Sequence, residues 1–323
     1  MRIAVTGAAG FIATNLIPRL LDEGHEVLGL DNFFLGKRAY VKSLQSRENF
    51  HFVEQDLLDL EAVVRHFESF RPERVWHLAA NSDISFGTKY TDFDLKGGTL
   101  VTYNVLEAMR RTGSAKEIIF SSSGAVYGEP TVHPTPEDYG PLFPISLYAA
   151  SKLACEGLIT AYAHNYDIQA WIFRFGNIVG PHPTHGVIPD FIVKLMKDPA
   201  HLAMLGDGSQ AKPYVDVDDC LNGMMFGHGH SREHVNCYNL AVEDRTTVNQ
   251  IAAIVLHEMG LDPAMVFIER GQGSRGWKGD VPFVNLDTTR MKLLGWSPKF
   301  TSGQSVKRCT AAVVAQFRAE GLA

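Results

Sequence analysis

Residues 2–13, RIAVTGAAGFIA, place an apolar strand directly before a glycine-rich turn and the start of a helix. The glycines allow the backbone to approach a ligand closely, and the N–H groups at the start of a helix attract phosphate. Asp31 ends the next apolar run, about 20 residues further on, where a carboxylate can bind the ribose hydroxyls of an adenine dinucleotide. Together these features predict a dinucleotide-binding site.

The charge at Asp31 also indicates which dinucleotide binds. A carboxylate at this position repels the 2′-phosphate of NADP, so NAD is the predicted cofactor. Lys37 and Arg38 follow Asp31 by six and seven residues, and their positive charges leave NADP as an alternative.

Apolar runs separated by helix-length stretches continue through the first half of the chain. They are RIAVTG, HEVLGLD, FHFVEQD, RVWHLAA, KEIIFSSS and IQAWIFRF. This rhythm predicts an α/β fold with a doubly wound parallel sheet that helices cover on both faces. Beyond about Asn177 the rhythm breaks and Gly and Pro become frequent. We therefore expect a dinucleotide-binding domain over 1–178, regaining a segment around 214–238, and a smaller mixed α/β domain over 179–323.

The composition excludes several classes of protein. The chain has 323 residues, 45% of them hydrophobic and 20% charged, with a net charge of −6. This composition is that of a folded protein, and it has no basic surplus for binding nucleic acid. We find no signal peptide and no apolar stretch long enough to span a membrane. The four cysteines, Cys155, Cys220, Cys237 and Cys309, are widely spaced, which favours a cytoplasmic protein without disulfides.

Tyr148 and Lys152 lie four residues apart on a predicted helix, so their side chains share one face. A phenol with an ordinary pKa of about 10 needs its pKa lowered by roughly 3 units to be half-ionised at neutral pH. An ammonium group about 5 Å away supplies roughly 3 kcal/mol at an effective dielectric constant near 20. We expect the pair to transfer a proton, with Lys152 lowering the pKa of Tyr148 and the oxidised nicotinamide supplying the remainder.

Five segments in order, TGAAGFIATNL, the Asp31-Asn32 pair, FSSSGAVYGEP, YAASK and RFGNIVGP, resemble the extended short-chain dehydrogenase/reductase family, specifically its nucleotide-sugar epimerases. The resemblance covers nearly the whole chain. It implies a Rossmann-type domain, tightly bound NAD and a nucleotide-diphosphate sugar as substrate. The implied NAD-binding residues are Gly7, Gly10, Phe11, Ile12, Asp31, Asn32, Gly36, Lys37, Asp56, Leu57, Leu78, Ala79, Ala80, Tyr148, Lys152 and Phe175.

The same resemblance assigns the reaction. It implies that Ser123 binds the reacting sugar hydroxyl, Tyr148 takes its proton, and Lys152 holds the cofactor ribose. Related dehydratases and decarboxylases carry carboxyl groups before VYG, whereas this chain has Gly124 and Ala125. The predicted reaction is therefore epimerisation, most simply at carbon 4, through a keto-sugar. A ketoreductase that consumes NAD(P)H and a non-catalytic dinucleotide sensor remain as alternatives.

The second domain is expected to bind the nucleotide. Resemblance assigns this role to Asn177, Val187, Ile188, Pro189, Lys212 and Arg275, and places Asp83 near the sugar. The chain departs from the family pattern at several positions. Lys212-Pro213 replace the usual Arg-Asp, and Trp277 replaces an Arg. Ala13 replaces a Gly, and Gly98 replaces an Asn. Lys212, Arg275 and Lys278 could together replace the arginine clamp on the diphosphate.

Two further features are interpreted more simply. His228, His230 and His234 fall in a glycine-rich connection, and we expect no metal site there. The helices around VTYNVLEAMRR and SLYAASKLACEGLITAYAHNY carry apolar stripes at helical spacing. These stripes are core or, by resemblance, part of a homodimer interface.

Overall fold

The apolar runs of the sequence become strands of a seven-stranded parallel sheet flanked by helices. In chain order the strands are β1 (Arg2–Thr6), β2 (Glu26–Asp31), β3 (Phe50–Glu54), β4 (Arg74–His77), β5 (Glu117–Ser123), β6 (Gln169–Phe175), β7 (Asn177–Val179), β8 (His201–Met204), β9 (Ala211–Lys212), β10 (Tyr214–Asp216), β11 (Val235–Leu240), β12 (Thr246–Thr247) and β13 (Phe267–Arg270). The large sheet has the order β3-β2-β1-β4-β5-β6-β11, so the predicted doubly wound Rossmann-type fold is confirmed.

The helices are α1 (Phe11–Asp22), α2 (Arg38–Lys42), α3 (Leu60–Phe70), α4 (Ile84–Lys89), α5 (Val101–Thr112), α6 (Leu147–Tyr166), α7 (Val187–Lys197), α8 (Val217–His230), α9 (Val248–Met259), α10 (Thr289–Leu294) and α11 (Ser302–Ala319). A π-helical turn, Leu95–Leu100, leads into α5. The apolar faces of α3, α5 and α6 share one core cluster with the strands. Because crossovers are right-handed and the strand order reverses after β3, α1 lies on the opposite face.

The computed structural model describes residues 1–273, 281 and 283–321, and the chain forms two compact units. Unit 1 comprises Met1–Gly128, Gly140–Arg174 and Met224–Tyr238. Unit 2 comprises Glu129–Tyr139, Phe175–Gly223 and Asn239–Ala323. The sequence-based boundaries, 1–178 with a segment around 214–238, differ from these units at 129–139, 175–178 and 214–223, which all belong to unit 2.

Hydrogen bonds within unit 2 explain why it includes residues 129–139. The Thr135 N–H donates to the Asn285 carbonyl at 2.8 Å. The Asn239 N–H donates to the Glu137 carboxylate at 2.8 Å, and the Asn239 amide donates to the Thr135 carbonyl at 3.0 Å. These partners lie more than 100 residues apart, so no local sequence pattern signals the pairing.

Unit 2 has its own apolar core, formed mainly by α7, α9, α11 and β8. Its strands form three pairs: β7 with β10 and β8 with β13 are parallel, and β9 with β12 is antiparallel. The irregular mixture expected beyond Asn177 is therefore a set of short strand pairs packed on three helices. None of the helices described is both long and apolar enough to cross a membrane.

Candidate functional site

The glycine-rich turn after β1 packs closely on the segment after β4 because Gly7 has no side chain. Gly7 has φ +69°, and a Cβ there would lie 2.8 Å from the Ala79 nitrogen, which follows β4. The Gly10 N–H donates to the Gly7 carbonyl at 2.9 Å. Gly10 is also the N-cap of α1 and brings no capping side chain, so Phe11 and Ile12 begin the helix with backbone N–H groups available to an anion. This cradle fits a pyrophosphate.

Asp31, at the end of β2, is buried beside this turn. Its carboxylate accepts hydrogen bonds from the Ala9 N–H at 3.0 Å and the Phe33 N–H at 2.6 Å. Desolvation raises the pKa of Asp31 above its ordinary value. The Lys37 N–H donates to the Ala9 carbonyl at 3.1 Å. Asp31 therefore fastens the loop over 32–37 to the glycine turn, a role beyond the ribose contact expected from the sequence.

The two cations after Asp31 have partners of their own. The Arg38 guanidinium donates to Glu54 at 2.7 Å and lies 4.1 Å from the ring centroid of Phe33. The Lys37 ammonium lies 5.2 Å from the ring centroid of Tyr40. A 2′-phosphate would have to compete with Glu54 for Arg38, so these contacts favour NAD over NADP.

The remaining predicted cofactor residues of unit 1 lie on loops at the same edge of the sheet. Asn32 accepts a hydrogen bond from the Phe34 N–H at 3.0 Å, and Gly36 packs against the Ala9 side chain. After β3, the Asp56 carboxylate accepts from the Leu58 N–H at 2.9 Å, and the Leu57 carbonyl accepts from Asn104 at 2.8 Å. These bonds shape the loops and leave the sheet edge to the ligand.

A buried chain of hydrogen bonds holds Leu78 and Ala79, which precede Ala80 on the segment after β4. The Leu78 and Ala79 N–H groups donate to the Thr6 hydroxyl at 3.2 and 3.3 Å. The Thr6 hydroxyl lies 2.7 Å from His77 Nδ1, and His77 Nε2 lies 2.8 Å from the Thr102 hydroxyl, which donates to the Gly98 carbonyl at 2.8 Å. Desolvation lowers the pKa of His77 to about 3, so the ring is neutral.

The direction of these donors fixes the tautomer of His77. The Thr6 hydroxyl accepts from the Leu78 and Ala79 N–H groups, so its own hydrogen is directed at Nδ1. Nε2–H then donates to Thr102, whose hydroxyl hydrogen faces the Gly98 carbonyl and Cys155 Sγ. Thr6, His77 and Thr102 then each have hydrogen-bond partners. His77 is therefore a neutral spacer that links β1, β4 and α5 beneath the ligand-binding loops.

Ser123, Tyr148 and Lys152 converge next to this edge. Ser123 ends β5, its hydroxyl accepts from the Ala125 N–H at 3.1 Å, and it lies close enough to Tyr148 to lower the pKa of the phenol. Lys152 follows Tyr148 by one turn of α6, is 5% exposed, and donates to the Ser121 carbonyl at 2.6 Å. Its ammonium lies 6.0 Å from the Tyr148 ring centroid. The predicted triad is thus assembled in three dimensions.

The electrostatics of Tyr148 differ from the sequence-based expectation. Desolvation raises the pKa of Tyr148 to about 12, although Ser123 opposes the shift. Desolvation also lowers the pKa of Lys152 to about 8. The expected lowering by Lys152 is not found in the protein alone, because burial of the phenol dominates its pKa, and Asp94 and Cys155 raise that pKa further. Tyr148 is therefore a neutral phenol until another charge arrives.

A buried ion pair, Glu156 with Arg174, joins the elements that carry the triad. Glu156, one turn after Lys152, accepts from Arg174 at 2.7 and 3.0 Å and from the Ser122 hydroxyl at 2.5 Å. Arg174 also donates to the Tyr127 hydroxyl at 2.9 Å. Glu156 and Arg174 are each only 6% exposed. The pair thus joins β5, β6 and α6 at the position of Ser123.

The predicted substrate residues of unit 2 occupy strand and helix ends. Asn177 begins β7 opposite Tyr214, and Lys212 ends β9 opposite Thr246. Phe175, predicted to bind the cofactor, ends β6. Val187, Ile188 and Pro189 open α7 after Gly186, whose φ is +117°. The Ile188 side chain is 1% exposed and belongs to the core, so only its backbone can contact a ligand. Arg275 and Lys278, like Trp277, lie outside the described residues.

Comparison with known proteins identifies the family. The family model of the NAD dependent epimerase/dehydratase family matches residues 3–241. The chain belongs to this family. UDP-glucose 4-epimerase of Mycolicibacterium smegmatis is 31% identical over 95% of this chain and 97% of its own length. UDP-glucuronic acid decarboxylase 1 of Xenopus tropicalis is 28% identical over 92% of this chain and 68% of its own length. The Thermus thermophilus UDP-glucose 4-epimerase, crystallised with NAD, superposes with a TM-score of 0.84 at 30% identity, covering 97% of this chain and 98% of that one.

Membership of the NAD dependent epimerase/dehydratase family makes this chain an enzyme of nucleotide-sugar chemistry with NAD as its cofactor. The resemblance stated from the sequence is thereby confirmed. The family includes epimerases, decarboxylases and dehydratases, so membership alone leaves the individual reaction to be argued from the site.

Several supporting residues of this family member were missed in the sequence. His77 is a polar residue that ends β4 directly after the apolar pair Val75 and Trp76, and Glu156 continues the face of Tyr148 and Lys152 at four-residue spacing. Both patterns could have singled them out. Asp94 gave no such signal: it is 2% exposed, accepts from the Asn81 amide at 2.9 Å, and its carbonyl accepts from Ser151 at 2.7 Å.

The features set aside in the sequence have separate surroundings. His228 lies 3.0 Å from Glu117, His230 faces the Phe226 carbonyl, and His234 faces the Ala163 carbonyl. No cluster of three metal-ligating side chains occurs among residues 1–273, 281 and 283–321. The backbone of Asp83 is held in a turn by Asn81, whose amide group both accepts from the Asp83 N–H and donates to its carbonyl.

Proposed function

We propose that this enzyme is an NAD-dependent epimerase of a nucleotide-diphosphate sugar, acting at carbon 4 through a keto-sugar. The observation that carries the proposal is the convergence of Ser123, Tyr148 and Lys152, with Gly124 and Ala125 directly after the serine. The triad suits removal of a hydroxyl proton. Gly124 and Ala125 offer no carboxyl group for eliminating water or assisting decarboxylation.

The predicted cofactor-binding residues fit NAD. The pyrophosphate would be held by Gly7, Gly10, Phe11 and Ile12, and the adenosine ribose by Asp31, Asn32, Gly36 and Lys37. The adenine would contact Asp56 and Leu57. The rest of the molecule would contact Leu78, Ala79, Ala80 and Phe175. When bound, NAD would supply reversible hydride chemistry, first as the acceptor and then as the donor at the sugar, so no cofactor would be consumed.

Tyr148 is proposed as the acid and base of the cycle. Its phenolate oxygen, formed when the loaded site ionises the phenol, would take the proton of the sugar hydroxyl as the carbonyl forms, and the resulting phenol would give that proton back as the carbonyl is reduced. Ser123 is proposed to orient the sugar hydroxyl, because it lies beside Tyr148 and acts on the pKa of the phenol. A phenol whose pKa is about 12 is almost fully protonated at neutral pH, so Tyr148 can accept a proton only when the loaded site lowers that pKa.

Lys152 is proposed to have two tasks. Its ammonium donates one hydrogen bond to the Ser121 carbonyl at 2.6 Å, and its other hydrogens can bind the ribose hydroxyls of the cofactor. Because the pKa of Lys152 is lowered to about 8, the residue is mostly charged at neutral pH. That charge stabilises the phenolate of Tyr148 once it forms.

The nucleotide is proposed to bind in unit 2. The diphosphate and the base are proposed to contact the Asn177 amide, the backbone at the start of α7 (Val187, Ile188 and Pro189), and the side chains of Lys212 and Arg275. Asp83 is proposed to contact the sugar. UDP is the carrier we favour, because the epimerase of Mycolicibacterium smegmatis that the chain resembles acts on UDP-glucose.

We also propose a homodimer that uses α5 and α6. Tyr103 and Tyr166 are 39% and 45% exposed on these helices, although large aromatic side chains prefer burial. Light scattering at micromolar concentration should give twice the monomer mass. A monomer would contradict this part of the proposal.

An isotope experiment tests the reaction directly. Turnover of UDP-, dTDP-, GDP-, CDP- and ADP-sugars is followed by NMR, without added cofactor, to find the substrate. The substrate is then deuterated at carbon 4. We expect the product to keep the label at that carbon, because hydride never exchanges with solvent. Loss of label to water would contradict the hydride mechanism, and a requirement for stoichiometric NAD(P)H would favour the ketoreductase.

A further inference from the structure

The loops that follow β2 and β4 touch each other through aromatic rings. Phe34, on the loop after β2, lies 4.8 Å from Phe93 and 5.9 Å from Phe86 between ring centroids, and Phe86 lies 5.2 Å from Phe93. Phe34 is nevertheless 54% exposed. We call these three residues the aromatic clasp.

The sheet order shows what the clasp must cross. β1 lies between β2 and β4, so the loops after β2 and β4 flank the glycine turn on either side. Two strand spacings separate β2 from β4, about 10 Å. Rings that meet from these two loops therefore bridge over the edge where the Gly7–Gly10 turn ends β1.

Both ends of the bridge are fastened next to that turn. On one side, Asp31 accepts from the Ala9 N–H, and the Lys37 N–H donates to the Ala9 carbonyl. On the other side, Asn81 bonds Asp94 at 2.9 Å and so closes the segment that carries Phe86 and Phe93. Ring contacts between loops are weaker than these anchors, so the rings are the part that can open.

We propose that Phe34, Phe86 and Phe93 form a clasp over the pyrophosphate of bound NAD and slow its release. This inference rests on the proposed placement of NAD at the Gly7–Gly10 turn. An enzyme that must return a hydride to the same sugar gains from retaining the cofactor between the two steps, which gives the exposed rings a function.

The test measures NAD release rather than activity. Wild-type protein and variants are saturated with NAD, freed of excess ligand by gel filtration, and diluted; protein-bound NAD is then quantified over time after acid release. Phe34→Ala should release NAD about tenfold faster, because it removes both contacts between the loops. Phe34→Leu, which keeps apolar bulk without a ring, should be intermediate.

Tyr90→Ala is the matched control. Tyr90 is 56% exposed and its ring contacts Phe86 at 5.3 Å, on the same segment after β4. Removing it leaves the bridge between the two loops intact, so the release rate should stay within about twofold of wild type.

Equal release from Phe34→Ala and wild type would overturn the clasp while leaving the proposed function in place. Equal acceleration by Tyr90→Ala would overturn it as well, because the effect would then reflect any aromatic loss. Wild-type protein that retains no NAD after saturation would overturn the clasp together with the proposed cofactor site.

Discussion

The Tyr148 hydroxyl is the single group whose removal tests the proposed chemistry most directly. Tyr148→Phe keeps the ring in place and deletes the proton acceptor, and a positioned acid or base contributes about 100-fold to 10,000-fold in rate. We expect turnover to fall by that factor while NAD remains bound, as measured by steady-state kinetics and by release of bound nucleotide.

The control for this prediction is Tyr162→Phe on the same helix. The Tyr162 hydroxyl donates to Glu107 at 3.2 Å, near the other end of α6 from Tyr148. Its loss should leave turnover unchanged. A Tyr148→Phe variant with wild-type turnover would exclude Tyr148 as the base.

Lys152 illustrates a conflict between stability and function. Folding lowers its pKa from 10.5 to about 8, so the unfolded chain binds more protons between these values. Stability therefore rises as pH increases from 8 to 10.5, and below pH 8 the folded protein bears the full cost of a buried charge. Lys152→Met removes that cost. At pH 7 the cofactor-free variant should be more stable by about 1 to 3 kcal/mol, while being inactive.

Urea unfolding of both cofactor-free proteins at pH 7, 8.5 and 10 measures this difference. The advantage of Lys152→Met should shrink as pH rises, because wild-type Lys152 becomes neutral when folded. A pH-independent difference, or a less stable variant at pH 7, would show that Asp94, Glu156 and the Ser121 carbonyl compensate the buried ammonium fully.

At the scale of elements, the π-helical turn before α5 fits against α6 at one glycine. A Cβ on Gly98 would overlap the Ser151 hydroxyl, which donates to the Asp94 carbonyl at 2.7 Å and lies 3.0 Å from the Thr99 hydroxyl. Gly98, noted in the sequence as a departure from the family pattern, is thus where this turn accepts Ser151, the neighbour of Lys152.

Gly98→Ala should destabilise the protein by about 1 to 3 kcal/mol through overpacking, and should lower turnover because α6 carries Tyr148 and Lys152. Gly97→Ala is the matched control, since no heavy atom lies within 4 Å of a Cβ at that position. Urea unfolding and turnover are measured for both. Equal effects of the two substitutions would show that helix propensity, rather than the contact with Ser151, governs this turn.

The Glu156–Arg174 pair makes a second prediction at this scale. Glu156→Ala leaves the buried Arg174 without its counter-charge and should cost about 3 to 5 kcal/mol. Glu61→Ala breaks an exposed pair with Arg111 and should cost less than about 1 kcal/mol. Denaturant unfolding compares the two variants. A loss for Glu156→Ala no larger than for Glu61→Ala would mean that water reaches Arg174.

At the scale of the whole molecule, unit 1 depends on a segment from late in the chain. Residues 224–238 supply most of β11, the edge strand beside β6. The Trp171 indole donates to the Ser231 hydroxyl at 3.0 Å, and the Ala170 N–H donates to the His234 carbonyl at 3.0 Å. Without this segment, β6 becomes an exposed edge with unpaired backbone groups.

We therefore expect a chain ending at residue 178 to be insoluble or unfolded. The same chain joined by a flexible linker to 224–238 should recover soluble protein with native-like far-UV circular dichroism. Both proteins are compared by soluble yield and by their spectra. A soluble, cooperatively unfolding 1–178 fragment would contradict the view that β11 completes unit 1.

The sequence by itself determined the features that repeat over short distances. Strand and helix periods, the glycine turn with Asp31, and the four-residue spacing of Tyr148 and Lys152 predicted the sheet, the cofactor and the order of the motifs. Each of these depends on backbone geometry within one or two elements, which local residue types control.

Only the tertiary structure decided what depends on partners distant in the chain. The link from Thr6 through His77 to Thr102, the inclusion of 129–139 in unit 2, and the contact of Phe34 with Phe86 all join separate segments. The pKa of Tyr148 belongs to this group too, because desolvation depends on every surrounding element. Spacing can place a lysine near a phenol, but packing decides how much water both of them lose.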